Sequence, residues 1–264
     1  MDLELRDKKA LITGSTAGIG FAIAESLAKE GAEVIVNGRF EESTSMAIAE
    51  LKQKSGNEKI SGIAADFSKK EEIEQLIGQL PEVDILVNNV GIFNNVEFAE
   101  ISDDEWFEMF EINVMSGVRL ARHYLPKMLE NNEGRIIFIS SESALNIPTE
   151  MVHYGMSKTA QLSVSRGLAR LTKGTKVTVN SVLPGPTESR GVEEMLAHQA
   201  KQFGKTKDEV EKEFFNEARP TSLIQRFADV EEVANMVTYI ASPKSSATNG
   251  AALRVDGGVA NYVI

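Results

Sequence analysis

Lys9-Ala10-Leu11-Ile12-Thr13-Gly14-Ser15-Thr16-Ala17-Gly18-Ile19-Gly20 is the stretch that decides the fold of this chain. Its first five residues form a short, largely apolar run of the kind found in a strand covered on both faces. A helical pattern then starts at Ile19 and continues to residue 29, with Gly31 placed to end it. Gly14, Gly18 and Gly20, spaced G-x-x-x-G-x-G, allow a tight turn between the two elements. Such a turn lets backbone N–H groups approach a pyrophosphate at the helix N-terminus. The spacing alone is a weak signal; strand before, helix after and a second strand soon following make it specific.

Working outward, the alternation persists. Val34-Ile35-Val36 predicts the second strand, 42–54 a helix, 60–64 a third strand, and 83–87 a fourth. Residues 136–139, 177–179 and 252–255 continue the strand series, with a long helix over 156–171. Ser68-x-x-Glu71 and Ser102-x-x-Glu105 have the form of capping boxes. This rhythm predicts an α/β fold, a doubly wound parallel sheet of the Rossmann type in one domain over 1–264. The exception is 188–222, a polar, helix-prone segment carrying Met195, Leu196, Phe203, Phe214 and Phe215. It is expected to be a helical insertion that acts as a substrate lid.

Composition narrows the ligand classes. The 264 residues are 42 % apolar and 25 % charged, an ordinary globular balance. No apolar run is long enough to cross a bilayer, and the N-terminus lacks the pattern of a secretory signal. A net charge of −11 disfavours nucleic acid and anionic membranes, so a nucleotide must be held by local devices. Cysteine is absent, and His123, His153 and His198 form no metal-ligand pattern, so no catalytic metal and a cytoplasmic location are expected.

Beyond the second strand come Asn37-Gly38-Arg39, where this fold commonly places a ribose-binding acid. Arg39 suits a 2′-phosphate instead, which favours NADP(H); Glu41 or Glu42 reaching a ribose would leave NAD(H) possible. Tyr154 and Lys158 lie four residues apart and share a helix face. An ammonium there is expected to draw the phenol toward a useful acid–base range.

Taken with Asn88-Asn89-Val90-Gly91, Asn113, Ser141, Pro184-Gly185-Pro186-Thr187 and Arg254-Val255-Asp256-Gly257-Gly258, the chain resembles the short-chain dehydrogenase/reductase family over nearly its whole length. The resemblance implies a hydride transfer between nicotinamide and a carbonyl or alcohol carbon. It implies Tyr154 as proton donor or acceptor, Ser141 polarising the substrate oxygen, and Lys158 on the nicotinamide ribose. It also implies that Asn113 completes a proton relay through water. Gly14, Ser15, Thr16, Gly18, Ile19, Gly20, Asn89 and Gly91 are the implied contacts of the cofactor backbone. Asp66 and Phe67 are implied for adenine, and Pro184, Gly185 and Thr187 for the carboxamide. The resemblance also implies a homotetramer built on 103–128 and 151–172.

Some alternatives stay open. Ser140 or Ser143 can replace Ser141 in its role. Val90 stands where the family usually has alanine, so a small adjustment near the cofactor is expected. Glu142 is expected to face solvent, although pointing into the site it would disfavour anionic substrates or bind a cationic group; His153 is expected to be structural or part of the substrate wall. The same chemistry can serve a 3-oxoacyl-thioester or a ketone or sugar. A nucleotide sensor without turnover and an epimerase or dehydratase are the competing classes.

Overall fold

A computed structural model describes residues 1–263, with all side chains in that range except those of Arg190, Glu194 and Met195. The chain runs β1 (Lys9–Ile12), α1 (Gly18–Lys29), β2 (Glu33–Gly38), α2 (Glu41–Ser55), β3 (Ile60–Ala64), α3 (Lys70–Gln79) and β4 (Ile85–Asn88). It continues with α4 (Asp103–Phe110), a π-helical stretch (Glu111–Met115), α5 (Ser116–Glu130), β5 (Gly134–Ile139), α6 (Val152–Leu171) and β6 (Val177–Pro184). The remainder is β7 (Thr187–Glu188), α7 (Arg190–Phe203), α8 (Lys207–Glu217), β8 (Ala228–Asp229), α9 (Val230–Ala241) and β9 (Ala252–Val255).

Seven strands form one parallel sheet in the order β3-β2-β1-β4-β5-β6-β9. This is the expected doubly wound sheet. The strand order reverses between β1 and β4, so their C-terminal ends open a crevice. Every residue of β4, β5 and β6 is buried, because helices cover both faces. On one face, Ile23 and Leu27 of α1 pack with Val233, Val237 and Ile240 of α9. On the other, Ile73 and Leu76 of α3 meet Leu120, Tyr124 and Met128 of α5. Burying each such side chain stabilises the fold by roughly 1.5–3 kcal/mol. Among the described residues, no helix is long and apolar enough to cross a membrane.

One local reading needs correction. The Ser68 capping box does not form: Ser68 donates through N and Oγ to Asp66 Oδ1 at 3.0 and 2.8 Å. That local turn displaces the cap, and α3 starts later without a side-chain cap. The Ser102 box does form, with Glu105 N donating to Ser102 Oγ and Ser102 N to Glu105 Oε2. Helix α9 had no expectation attached to it, although it supplies much of one core face. Segment 188–222 contains two helices, α7 and α8, flanked by the two-residue strands β7 and β8, which pair in parallel. It has a core of its own around Leu196, Val210, Phe215 and Phe227, with Phe214 packed on it, while Phe203 is exposed.

Candidate active site

The glycine turn lies at the mouth of the crevice. Gly14 and Gly18 adopt left-handed backbone with φ of 61° and 56°, which an L side chain resists. A Cβ on Gly20 would lie 2.4 Å from Gly14 O and 2.5 Å from Asn89 Nδ2, so only glycine lets α1 pack this close. Ser15 is turned inward: its Oγ donates to Ile12 O at 2.7 Å and accepts from Asn37 N at 3.0 Å. Ile19 packs on the core. The N-terminus of α1 has no side-chain cap and no acid in its first turn. Its orphan N–H groups and dipole suit an anion.

The cleft in front of this turn has a volume of about 370 Å³ and is lined by Thr16, Arg39, Asp66, Phe67, Asn89 and Gly91, among others. Arg39 is exposed at the end of β2, with its guanidinium 5.7 Å from the centre of the Phe40 ring. Glu41 and Glu42 form the first turn of α2 and are not part of the lining. The Ser68 amide and hydroxyl hold Asp66 below the usual carboxylate range, despite some burial. Val90, the departure from alanine, puts Cγ2 only 3.1 Å from where a Gly14 Cβ would stand. An uncapped helix end and a glycine cradle fit the pyrophosphate of a dinucleotide.

The second half of the site gathers around α6. Ser141 ends up beside Tyr154, and its Oγ accepts from Ser143 N at 3.1 Å. Ser140 faces elsewhere, donating to the carbonyl of Lys158 at 2.9 Å. Lys158 is buried, and its Nζ donates to Ile139 O at 3.0 Å while lying 5.6 Å from the Tyr154 ring centre. Phe93 meets that ring edge-on at 6.1 Å. A Cβ on Gly91 would lie 3.3 Å from both Asn113 Oδ1 and Lys158 Nζ, so these groups converge. Asn113 sits in the π-helical stretch. Its Oδ1 accepts from Ile92 N at 2.7 Å, and its Nδ2 donates to Ser157 Oγ at 2.9 Å. On the far side, Gly185 packs against the backbone of Asp256, and Thr187 Oγ1 donates to Gly185 O at 2.9 Å. Pro184 is the last residue of β6 and pairs with Val255.

The charges differ from the simple expectation. Burial pushes the Tyr154 phenol up to about 12, against the pull of the Ser141 hydroxyl. Burial also pushes Lys158 down to about 8. In the protein alone, the ammonium therefore does not bring the phenol toward neutrality, because both groups sit in the same low-dielectric pocket.

Glu142 does not face solvent. It is 3 % exposed and accepts from Arg219 Nε at 2.9 Å through Oε1. The short helical turn after β5 directs it inward, and the arginine offsets its charge. His153 is fully buried, with Nε2 2.6 Å from Asn94 Oδ1 and its ring edge-on to Trp106. Among the described residues, no group of three metal-ligating side chains occurs.

Two residues escaped the sequence reading. Gln161 donates from Nε2 to Asn113 O at 2.5 Å. Its position three after Lys158 puts it on the same helix face, which was an available signal. Arg219 lies 77 residues from Glu142, and nothing local announces their pairing.

Comparisons with known proteins bear on the family and the fold. Residues 8–200 match the family described as short chain dehydrogenase. The uncharacterized oxidoreductase YvaG of Bacillus subtilis is 53 % identical over 263 residues, covering all of both chains. The 3-oxoacyl-[acyl-carrier-protein] reductase FabG of Aquifex aeolicus is 32 % identical, over 98 % of this chain and 100 % of that protein. L-sorbose reductase of Gluconobacter frateurii, solved with NADPH and L-sorbose, superposes with a TM-score of 0.92 at 31 % identity over the full length of both. The chain belongs to the short-chain dehydrogenase/reductase family and is an NAD(P)-dependent oxidoreductase.

Proposed function

We propose that this enzyme uses NADP(H) to interconvert a small carbonyl compound and its alcohol through a Ser141–Tyr154–Lys158–Asn113 relay. The observation that carries the reading is the convergence of Ser141, Tyr154, Lys158 and Asn113 beside a cleft whose lining includes the glycine turn and Arg39. When bound, the cofactor supplies or takes up the hydride. The α1 N-terminus with Gly14, Thr16 and Gly18 would hold its pyrophosphate, and Arg39 its 2′-phosphate. Asp66 and Phe67 would hold adenine, and Pro184, Gly185 and Thr187 the carboxamide. Tyr154 Oη gives or takes the proton at the substrate oxygen, while Ser141 Oγ donates a hydrogen bond to it. Lys158 anchors the ribose. Asn113 links Lys158 to solvent through a water, with its own position held by Ile92, Ser157 and Gln161.

Residues 188–222 act as the lid of a single-domain enzyme, supported by their separate small core and their position after β6. Assembly as a homotetramer through α4, α5 and α6 is part of the same reading. Phe107, 72 % exposed on α4, supports it. Light scattering after size exclusion tests it, and a monomer mass sinks it. A cytoplasmic location accords with the cysteine-free composition.

The first experiment titrates purified protein with NADPH and NADH, followed by nicotinamide fluorescence. Tighter NADPH binding supports the reading, and tighter NADH binding overturns the role of Arg39. Oxidation of NADPH is then measured with L-sorbose and with an acetoacetyl thioester. The resemblance to FabG favours the thioester as the second substrate reading. Binding of neither nucleotide removes the proposal.

A further inference from the structure

Glu142 and Arg219 form a buried charge pair beside the catalytic tyrosine, and the two come from different parts of the fold. Glu142 follows Ser141 directly, whereas Arg219 follows α8 at the base of the lid. Their side chains are only 4 % and 10 % exposed. Glu142 Oε1 accepts from Arg219 Nε at 2.9 Å and from Ser143 Oγ at 3.2 Å. Its other oxygen, Oε2, is buried and has no hydrogen-bond partner among the described residues. Arg219 also donates to Ala218 O at 2.8 Å, and its guanidinium lies 5.9 Å from the centre of the Phe214 ring in the lid.

Both charges act on Tyr154, the carboxylate against ionisation of the phenol and the guanidinium in favour of it. The other charged groups in this neighbourhood are few. Lys158 faces the Tyr154 ring from the same helix. Asp256, after β9, acts on Glu142 and has its oxygens engaged by Gly258 N and Ala260 N. Glu150, in the turn before α6, approaches Arg219 to 3.7 Å. A buried pair of this kind adds little net stability, yet breaking one half leaves an uncompensated charge.

We propose that Arg219 and Glu142 are positioning residues that couple the lid to the acid–base centre. Arg219, carried by the lid, cancels the carboxylate next to Ser141 and thereby sets the electrostatic field at Tyr154. Withdrawal of the lid removes that cancellation, so the tyrosine is poised for proton transfer only while the lid is in place. The inference rests on the role proposed above for Tyr154.

The test follows the ionisation of Tyr154 by NMR of protein labelled with 13C at tyrosine Cζ and saturated with NADP+. The Tyr154 signal is assigned by its loss in Tyr154→Phe. Arg219→Met exposes Tyr154 to an unbalanced carboxylate, so its midpoint should rise by about one unit. Glu142→Gln leaves the cation unbalanced, so the midpoint should fall by about one unit. The double variant should return near the starting value, and Arg219→Lys should stay there. Opposite shifts cannot come from general loosening of the structure, which moves both variants in one direction. Midpoints that move together, or not at all, overturn the coupling. If Tyr154→Phe also keeps full turnover, the role of Tyr154 falls as well; if it is inactive, only the coupling is lost. Should one single variant fail to fold, the other carries the comparison, and a midpoint that does not move in its stated direction overturns the coupling.

Discussion

Asn89 donates through Nδ2 to the carbonyl of Gly14 at 3.0 Å, and through the same atom to Thr13 O at 2.9 Å. The loop after β4 is thereby latched to the loop after β1 across the point where the strand order reverses. Thr13 Oγ1 completes the latch by accepting from Asn89 N and Val90 N at 2.9 and 3.1 Å. These bonds occupy the carbonyls on the inner side of the turn.

Gly20→Ala should disrupt that latch. The new methyl would stand 2.4 Å from Gly14 O and 2.5 Å from Asn89 Nδ2, so backbone must shift. Such overpacking costs roughly 1–3 kcal/mol. NADPH affinity should fall by roughly two- to tenfold if half of that is felt at the cleft. Fluorescence titration checks this, and unchanged affinity would show that the turn does not hold the cofactor.

Tyr154→Phe keeps the ring against Phe93 and removes the phenol proposed as proton donor. Turnover should fall ~10²–10⁴-fold, the usual contribution of general acid–base catalysis. NADPH affinity should hardly change. Retained turnover would reassign the proton to another group.

Arg39→Asp reverses the charge at the end of β2. Losing a charge-assisted bond and gaining a repulsion should weaken NADPH by roughly tenfold or more. NADH should weaken much less, since it has no 2′-phosphate. Equal losses for both nucleotides would mean that Arg39 supports the cleft without reading the phosphate.

Lys158 gives the ligand-free protein a distinctive dependence of stability on pH. Its ammonium is pushed from 10.5 to about 8 in the fold. Below pH 8 both states hold the proton, and the folded state carries the full cost of burying the charge. Between pH 8 and 10.5 the unfolded chain keeps a proton that the folded protein has released. Stability therefore gains at most about 1.4 kcal/mol per pH unit from this group across that window. Tyr154, raised from 10 to about 12, opposes the gain above pH 10, because there the folded state keeps the proton. Urea unfolding of the wild type should show a steeper rise from pH 8 to 10 than that of Lys158→Met. Parallel curves would contradict the burial assigned to Lys158.

The chain by itself determined the alternating sheet and the location of its glycine turn. Those features depend on local periodicity and on residues such as Gly14 and Gly18, whose backbone conformation is a property of the residue type. It also marked Tyr154 and Lys158, because a four-residue spacing on a helix is a distance. Helix α9 carries the same kind of local signal, with Val233, Ala234, Val237, Ile240 and Ala241 on its buried face. Tertiary structure alone decided where Glu142 points, since only the arrival of Arg219 from beyond α8 makes an inward carboxylate tolerable. It also decided the proton affinities of Tyr154 and Lys158. Desolvation depends on every element packed around a group, and no stretch of sequence contains that sum.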